Sequence, residues 1–157
     1  MKKIAVFPGS FDPITKGHEE LVRRALPLFD EIVVAIGVNS QKKYLFPLEQ
    51  RLESLRLVFR DQPKVKVDSF EKLTAHYCQR IGAGYLLRGL RNAGDFDYEK
   101  TISQLNSIVG DGLETVFLIS NPEVSHISST IVREIIKGGG DASPFVPEEI
   151  EGLISRG

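Results

Sequence analysis

His18, Lys42, Arg88, Arg91 and Arg133, with the hydroxyls of Ser10, Ser128, Ser129 and Thr130, are the side chains here whose types suit chemistry on phosphates. The formal net charge is −1, so a cluster of cations and hydroxyls on one edge would be a local feature and not a by-product of a basic protein. Such groups spread the charge that accumulates on phosphoryl oxygens in a transition state. The first of them stand in Val6-Phe7-Pro8-Gly9-Ser10-Phe11-Asp12-Pro13-Ile14-Thr15-Lys16-Gly17-His18. An apolar run breaks there on Pro-Gly-Ser and helical spacing resumes near Gly-His. That junction presents backbone N–H groups at a helix N-terminus, where phosphates bind.

Each feature also has an ordinary structural reading. Pro8-Gly9 punctuates a strand end, Gly17-His18 suits a solvated helix start, and Lys42-Lys43 reads as a wet surface pair. Ser128-Ser129-Thr130 reads as an N-cap with Glu134 in the helix behind it, and Asp95-Phe96-Asp97-Tyr98-Glu99 suits an acidic first helical turn. Arg88 and Arg91 are harder to dismiss, because they flank Gly89 directly beyond an apolar strand end. The argument for function is that all of these fall on one expected edge.

Other chemistries find less support. Cys78 is the only cysteine; it lies mid-helix without an adjacent histidine, as a buried inert thiol would. It can form no intrachain disulfide, which fits a reducing compartment. His18, His76 and His126 lack the ligand spacing of a zinc site, and neither G-x-x-x-x-G-K-[ST] nor G-x-G-x-x-G follows the first strand. The near-neutral charge argues against nucleic acid and anionic membrane as partners. No apolar run approaches the ~18 residues of a membrane span, and Met1-Lys2-Lys3-Ile4 shows no signal-peptide core. A cytoplasmic protein is expected.

The elements that must position these residues alternate. Strands are expected at about 3–7, 32–38, 65–68, 85–87 and 115–119. Helices are expected at about 17–29, 48–59, 73–81, 96–109, 129–137 and from Pro147 through Ile154. Ile32-Val33-Val34-Ala35-Ile36 is apolar on both faces, as a central parallel strand is, while Val65-Lys66-Val67-Asp68 alternates like an edge strand. The pattern predicts an α/β fold: a single doubly wound, Rossmann-like domain over 1–157 with a five-stranded parallel sheet. Ligands of such sheets bind beyond the carboxyl ends of the strands, where strand order reverses. The loops after the first, second, fourth and fifth strands should therefore carry the chemistry.

Gly9-Ser10-Phe11-Asp12-Pro13-Ile14-Thr15-Lys16-Gly17-His18 resembles the T/H-x-G-H signature turn of the nucleotidyltransferase superfamily, and Ile127-Ser128-Ser129-Thr130 resembles its I-S-S-[ST] signature. Leu87-Arg88-Gly89-Leu90-Arg91-Asn92 with Asp95-Phe96-Asp97-Tyr98-Glu99 narrows the resemblance to the bacterial phosphopantetheine adenylyltransferases, and it extends over essentially the whole chain. It implies transfer of the adenylyl group of ATP to 4′-phosphopantetheine, giving dephospho-coenzyme A and pyrophosphate. The resemblance also implies an in-line, direct attack, consistent with the missing nucleophile.

Carried over by motif, the resemblance makes His18, Lys42, Arg88, Arg91 and Ser10 the catalytic set. It implies that Arg91, Ser129 and Thr130 hold the β- and γ-phosphates. Gly9, Phe11, Gly89, Glu99 and the backbone around Ile127 and Ser128 would cradle adenosine and ribose. Leu73, Thr74, Ile102, Asn106 and Glu134 would line the pantetheine arm, with Ser10, Lys42 and Arg88 at its phosphate. Mg²⁺ would enter on the ATP phosphates without a protein cage, and a homohexamer and coenzyme A as feedback ligand are implied as well. Three departures stand out: Lys16 replaces an asparagine, Thr74 replaces an apolar residue, and Val124-Ser125-His126 lacks the usual aromatics. The signature turn and I-S-S-T alone would also suit a sister enzyme acting on nicotinate mononucleotide or using CTP, or a non-catalytic nucleotide-binding module.

Overall fold

The computed structural model describes residues 1–154; the last three residues of the expected domain lie outside them. Five strands, β1 (Ile4–Gly9), β2 (Glu31–Val38), β3 (Val65–Glu71), β4 (Tyr85–Leu90) and β5 (Glu114–Ile119), alternate with helices. These are α1 (Lys16–Ala25), α2 (Leu48–Val58), α3 (Thr74–Ile81), α4 (Ala93–Val109), α5 (Ser129–Lys137) and α6 (Glu151–Ile154). All pairings are parallel, in the order β3-β2-β1-β4-β5. This is the expected single α/β domain. No described helix is long and apolar enough to cross a membrane.

Period-two alternation sends successive side chains to opposite faces of the sheet. Ala5, Phe7, Ile32, Val34, Ile36 and Leu87 share one core with Leu21 and Val22 of α1, Leu52 and Leu55 of α2 and Val132 of α5. Val6, Val33, Ala35 and Leu86 face the other way, against Ala75, Tyr77 and Cys78 of α3. Both faces of the central strands are covered, which is why β2 is a continuous apolar run. β3, at the sheet's edge, shows the expected alternation of half-buried and exposed residues along its first half.

Several boundaries differ from expectation, each for a local reason. β1 runs on through Pro8 and Gly9. Pro8 stays in register with Ala35 of β2, while its carbonyl, and so its missing N–H, faces the side where pairing with β4 has ended. A proline is tolerated on an unpaired strand side. β4 likewise continues through Arg88, Gly89 and Leu90, held by β5, so Arg88 and Gly89 are strand residues and not loop residues. α1 stops at Ala25 and tightens into a 3₁₀ turn over Leu26–Leu28. Pro27 has no N–H to give the carbonyl four residues back and its ring collides with it. α4 begins at Ala93, capped by Asn92, whose side chain accepts from Asp95 N–H. The stretch after Pro147 is a 3₁₀ turn, Glu148–Ile150, before α6, and a further 3₁₀ turn covers Ser143–Phe145.

Strand order reverses between β1 and β4. Only Ala5↔Tyr85 and Val6↔Leu86 pair there, so beyond these rungs the sheet opens toward the carboxyl ends.

α3 ends in a Schellman closure: Ala83 N–H reaches Cys78 O at 2.8 Å and Gly82 N–H reaches Gln79 O at 3.2 Å, with Gly82 at φ 76°. A Cβ at Gly82 would meet nothing within 4 Å, so only backbone strain opposes one. Gly82→Ala should lower unfolding free energy by about 1 kcal/mol in urea titrations. Gly84→Ala, in equally open space without positive φ, should stay within about 0.5 kcal/mol of the parent.

Candidate active site

The turn after β1 sets His18. Thr15 caps α1, and a reciprocal capping box forms in which His18 takes the place usually held by Glu or Gln. His18 Nδ1 accepts from Thr15 N–H at 3.0 Å. In the neutral ring the proton therefore sits on Nε2, the nitrogen free to donate. Phe11, at φ 47°, folds its buried ring against the imidazole with centroids 5.0 Å apart. Burial, then the positive charges of Arg88 and Arg91, lower the His18 pKa from 6.5 to about 4. At neutral pH His18 is an uncharged hydrogen-bond donor.

Arg88 occupies the opening between β1 and β4. Its Nη1 donates to Pro8 O at 2.9 Å, and its Nε and Nη2 grip the Glu99 carboxylate at 3.1–3.2 Å and 2.6 Å. Glu99 is 8% exposed, and a planar two-point grip fixes the guanidinium as well as its charge. Arg91 is held more loosely, its Nε 3.2 Å from Asp95 Oδ2, which also accepts from Arg91 N–H. Although burial works against ionisation, these bonds hold the Asp95 carboxyl below the usual carboxylate range.

The second signature is stitched to the first. Ser128 caps α5 through Ile131 N–H, Ser129 Oγ donates to Pro13 O at 2.9 Å, and Arg133 Nη1 donates to Asp12 O at 3.0 Å. Two helix N-termini thus converge on one place. A third clamp holds the loop after β2. Asp12, 2% exposed, accepts from Leu45 N–H (2.8 Å) and Phe46 N–H (2.9 Å), while Arg51 donates to Phe46 O and Ser10 O.

These elements bound a cleft with two lobes that meet at Pro8, Gly9, Ser10, Arg88 and Glu99. The wider lobe, about 360 Å³, gathers Gly9, Ser10, Phe11, His18, Lys42, Arg88, Gly89, Arg91, Glu99, Ile127, Ser128, Ser129 and Thr130, with Asp95 and Arg133. Every residue expected at ATP is brought to it. The narrower lobe, about 280 Å³, is lined by Thr74, Ile102 and Asn106 of the expected pantetheine set, with Gly37, Phe70 and Tyr98. Leu73 and Glu134 line neither lobe. Leu73, at the start of α3, is 53% exposed, and Glu134 lies on the exposed side of α5, whose Val132 turns to the core. Lys16 also lies off the cleft, in a separate charged groove with Glu19, Arg23 and Glu149. Among the described residues no three His, Cys, Asp or Glu side chains are grouped to hold a metal ion.

Sequence reasoning assigned no role to Asp12 and Arg51. The buried carboxylate gave no local sign of its work, because the N–H groups it bonds lie 33 and 34 residues away. Arg51 lies within the helix expected over 48–59, whose local pattern carries no sign of the carbonyls it reaches at Phe46 and Ser10.

A parallel doubly wound sheet with cations and two helix N-termini at its switch point defines an α/β protein of the phosphate-binding, nucleotide-binding class. The family model described as cytidylyltransferase-like matches residues 6–135. Over 146 residues the chain is 50% identical to a phosphopantetheine adenylyltransferase of Flavobacterium psychrophilum, covering 93% of this chain and 96% of that one. A protein of the same name from Cytophaga hutchinsonii is 49% identical over 150 residues, 96% of this chain and 100% of the other. One from Leptospira biflexa is 46% identical over 157 residues, with 99% and 98% covered. The chain belongs to the phosphopantetheine adenylyltransferase family, within the cytidylyltransferase-like proteins.

The lowered His18 pKa carries a stability consequence. Between about 4 and 6.5 the unfolded chain binds the proton and the folded one does not, so stability falls as pH falls through that window. Relative to His18→Gln, which keeps a capping acceptor and cannot titrate, the parent should lose about 2–3 kcal/mol in urea unfolding between pH 7 and pH 4.

Proposed function

We propose that this protein transfers the adenylyl group of ATP to the phosphate of 4′-phosphopantetheine, releasing pyrophosphate and dephospho-coenzyme A. The observation that carries the reading is the two-lobed cleft: a cationic lobe sized for nucleotide phosphates joins a narrower one at Ser10 and Arg88. ATP occupies the first and the pantetheine arm the second, so the acceptor phosphate lies at their junction. An oxygen of that phosphate attacks the α-phosphorus in line as the bond to the pyrophosphate oxygen breaks. A phosphate monoester is already ionised near neutrality, so positioning and charge stabilisation supply the catalysis.

In this scheme His18 Nε2–H donates to an α-phosphate oxygen as charge builds there. Its neutrality at pH 7 makes it a donor whose strength is called on in the transition state and not a fixed counter-charge. Ser10 and Arg88 seat the acceptor phosphate, and Lys42 spans acceptor and α-phosphate. Arg91, Ser129, Thr130 and the start of α5 take the β- and γ-phosphates, with Arg133 behind them. The Asp95 and Glu99 carboxylates are engaged with Arg91 and Arg88, which leaves phosphate oxygens as the ligands for Mg²⁺. Carried on the ATP phosphates, Mg²⁺ would supply neutralisation of the charge on the leaving pyrophosphate.

A homohexameric assembly, coenzyme A as a feedback ligand and a cytoplasmic setting belong to the same proposal. Self-association is supported by α4, which exposes Phe96, Leu105, Ile108 and Val109 to the surface. Sedimentation of the purified protein tests it: a species of six copies is expected, and a monomer overturns it.

Given MgATP and phosphopantetheine, the purified protein should release pyrophosphate. Turnover only with CTP or only with nicotinate mononucleotide would assign it to a sister activity. His18→Ala should lower kcat by about 10²–10³-fold while the KM for ATP changes less than about threefold. A nucleotide-binding module would instead keep ATP binding and show no turnover to lose.

A further inference from the structure

Lys42 is exposed, on a loop, at the end of a flexible four-carbon stem, yet the reading above needs its ammonium in one place. The structure supplies a seat. Lys42 Nζ lies 5.7 Å from the centroid of the Tyr44 ring, inside the range over which a ring's quadrupole attracts a cation. The same ring stacks on the Arg51 guanidinium, with Cζ 4.1 Å from the centroid. Arg51 is itself immobilised: it is 3% exposed and donates to Phe46 O at 3.0 Å and Ser10 O at 2.9 Å. The backbone beyond Tyr44 is pinned by Leu45 and Phe46 N–H to the buried Asp12 carboxylate. A chain of contacts therefore runs beneath the cleft from Ser10, through Arg51 and Tyr44, to Lys42.

We propose that Tyr44 is a positioning residue for Lys42, its ring held by Arg51 so that the lysine ammonium stands over the wider lobe on the side of Ser10. The inference rests on the assigned role of Lys42, but the roles of ring and cation are separable. A ring gives the cation a preferred location without a competing hydrogen bond, so the ammonium keeps all three N–H donors for phosphate oxygens. A carboxylate in the same place would hold it more tightly and partly neutralise it. Burial lowers the Arg51 pKa against the opposing charges of Asp12 and the Tyr44 hydroxyl.

The test is a double-mutant cycle on the full chain with steady-state kinetics for both substrates. Tyr44→Leu should lower kcat about three- to tenfold with the KM for ATP changed less than about twofold. Tyr44→Phe, which keeps the ring, should restore kcat to within about twofold of the parent. In a Lys42→Ala background Tyr44→Leu should bring no further loss, because the two residues act as one unit. An equal loss from Tyr44→Leu in that background, or failure of Tyr44→Phe to rescue, overturns the proposal and leaves the role of Lys42 standing. Full turnover in Lys42→Ala alone overturns the assigned role of Lys42, and the seat with it.

Discussion

The early parting of β1 from β4 is the constraint on which the rest of the site depends. After two rungs, Ala5↔Tyr85 and Val6↔Leu86, the strands cease to pair, although β4 remains paired to β5 through Leu90. Backbone acceptors on the opened side of β1 would otherwise be stranded, and Arg88 answers one of them by donating to Pro8 O. Its Nε and Nη2 donate to Glu99 on α4, and one N–H on each terminal nitrogen is left over. One guanidinium thus closes the strand gap, ties the sheet to α4 and separates the two lobes of the cleft. A lysine could not do all three, since it lacks a fixed planar fork.

Around that gap the charges are balanced before any ligand arrives. Arg88 faces Glu99 and Arg91 faces Asp95, while Arg51 is buried near Asp12. The pairings keep the cations in defined orientations without large like-charge repulsion, and they account for a cleft lined with cations on a chain whose net charge is −1. His18 takes the opposite course. Half-buried in the cleft wall and crowded by Arg88 and Arg91, it stays neutral and contributes a directed N–H whose tautomer is set by Thr15 N–H.

The three segments that meet at the cleft hold one another by side-chain bonds to backbone. Ser129 and Arg133 fasten α5 to Pro13 and Asp12, and Asp12 fastens the loop carrying Lys42. Arg51 closes the circuit back to Ser10. Three cleft elements far apart in the chain are therefore rigidly related, which is the geometric requirement that the proposed in-line transfer places on them.

Alternating apolar runs were enough to read the parallel sheet, its central and edge strands and the strand ends where the site lies. The residue types around Gly9, Arg88 and Ser129 were enough to read phosphate chemistry. These features are legible because they are local: period, capping and turn chemistry act over a few residues. The lengths of β1 and β4 were not legible, since Pro8 and Gly89 look like breakers until the neighbouring strands are known. Nor were the duties of Asp12, Arg51 and Tyr44, or the pairing of Glu99 with Arg88. Their partners lie far off in sequence or beneath the surface, and burial, which gives a hydrogen bond or a cation over a ring its weight, exists only once the sheet and its helices have closed around them.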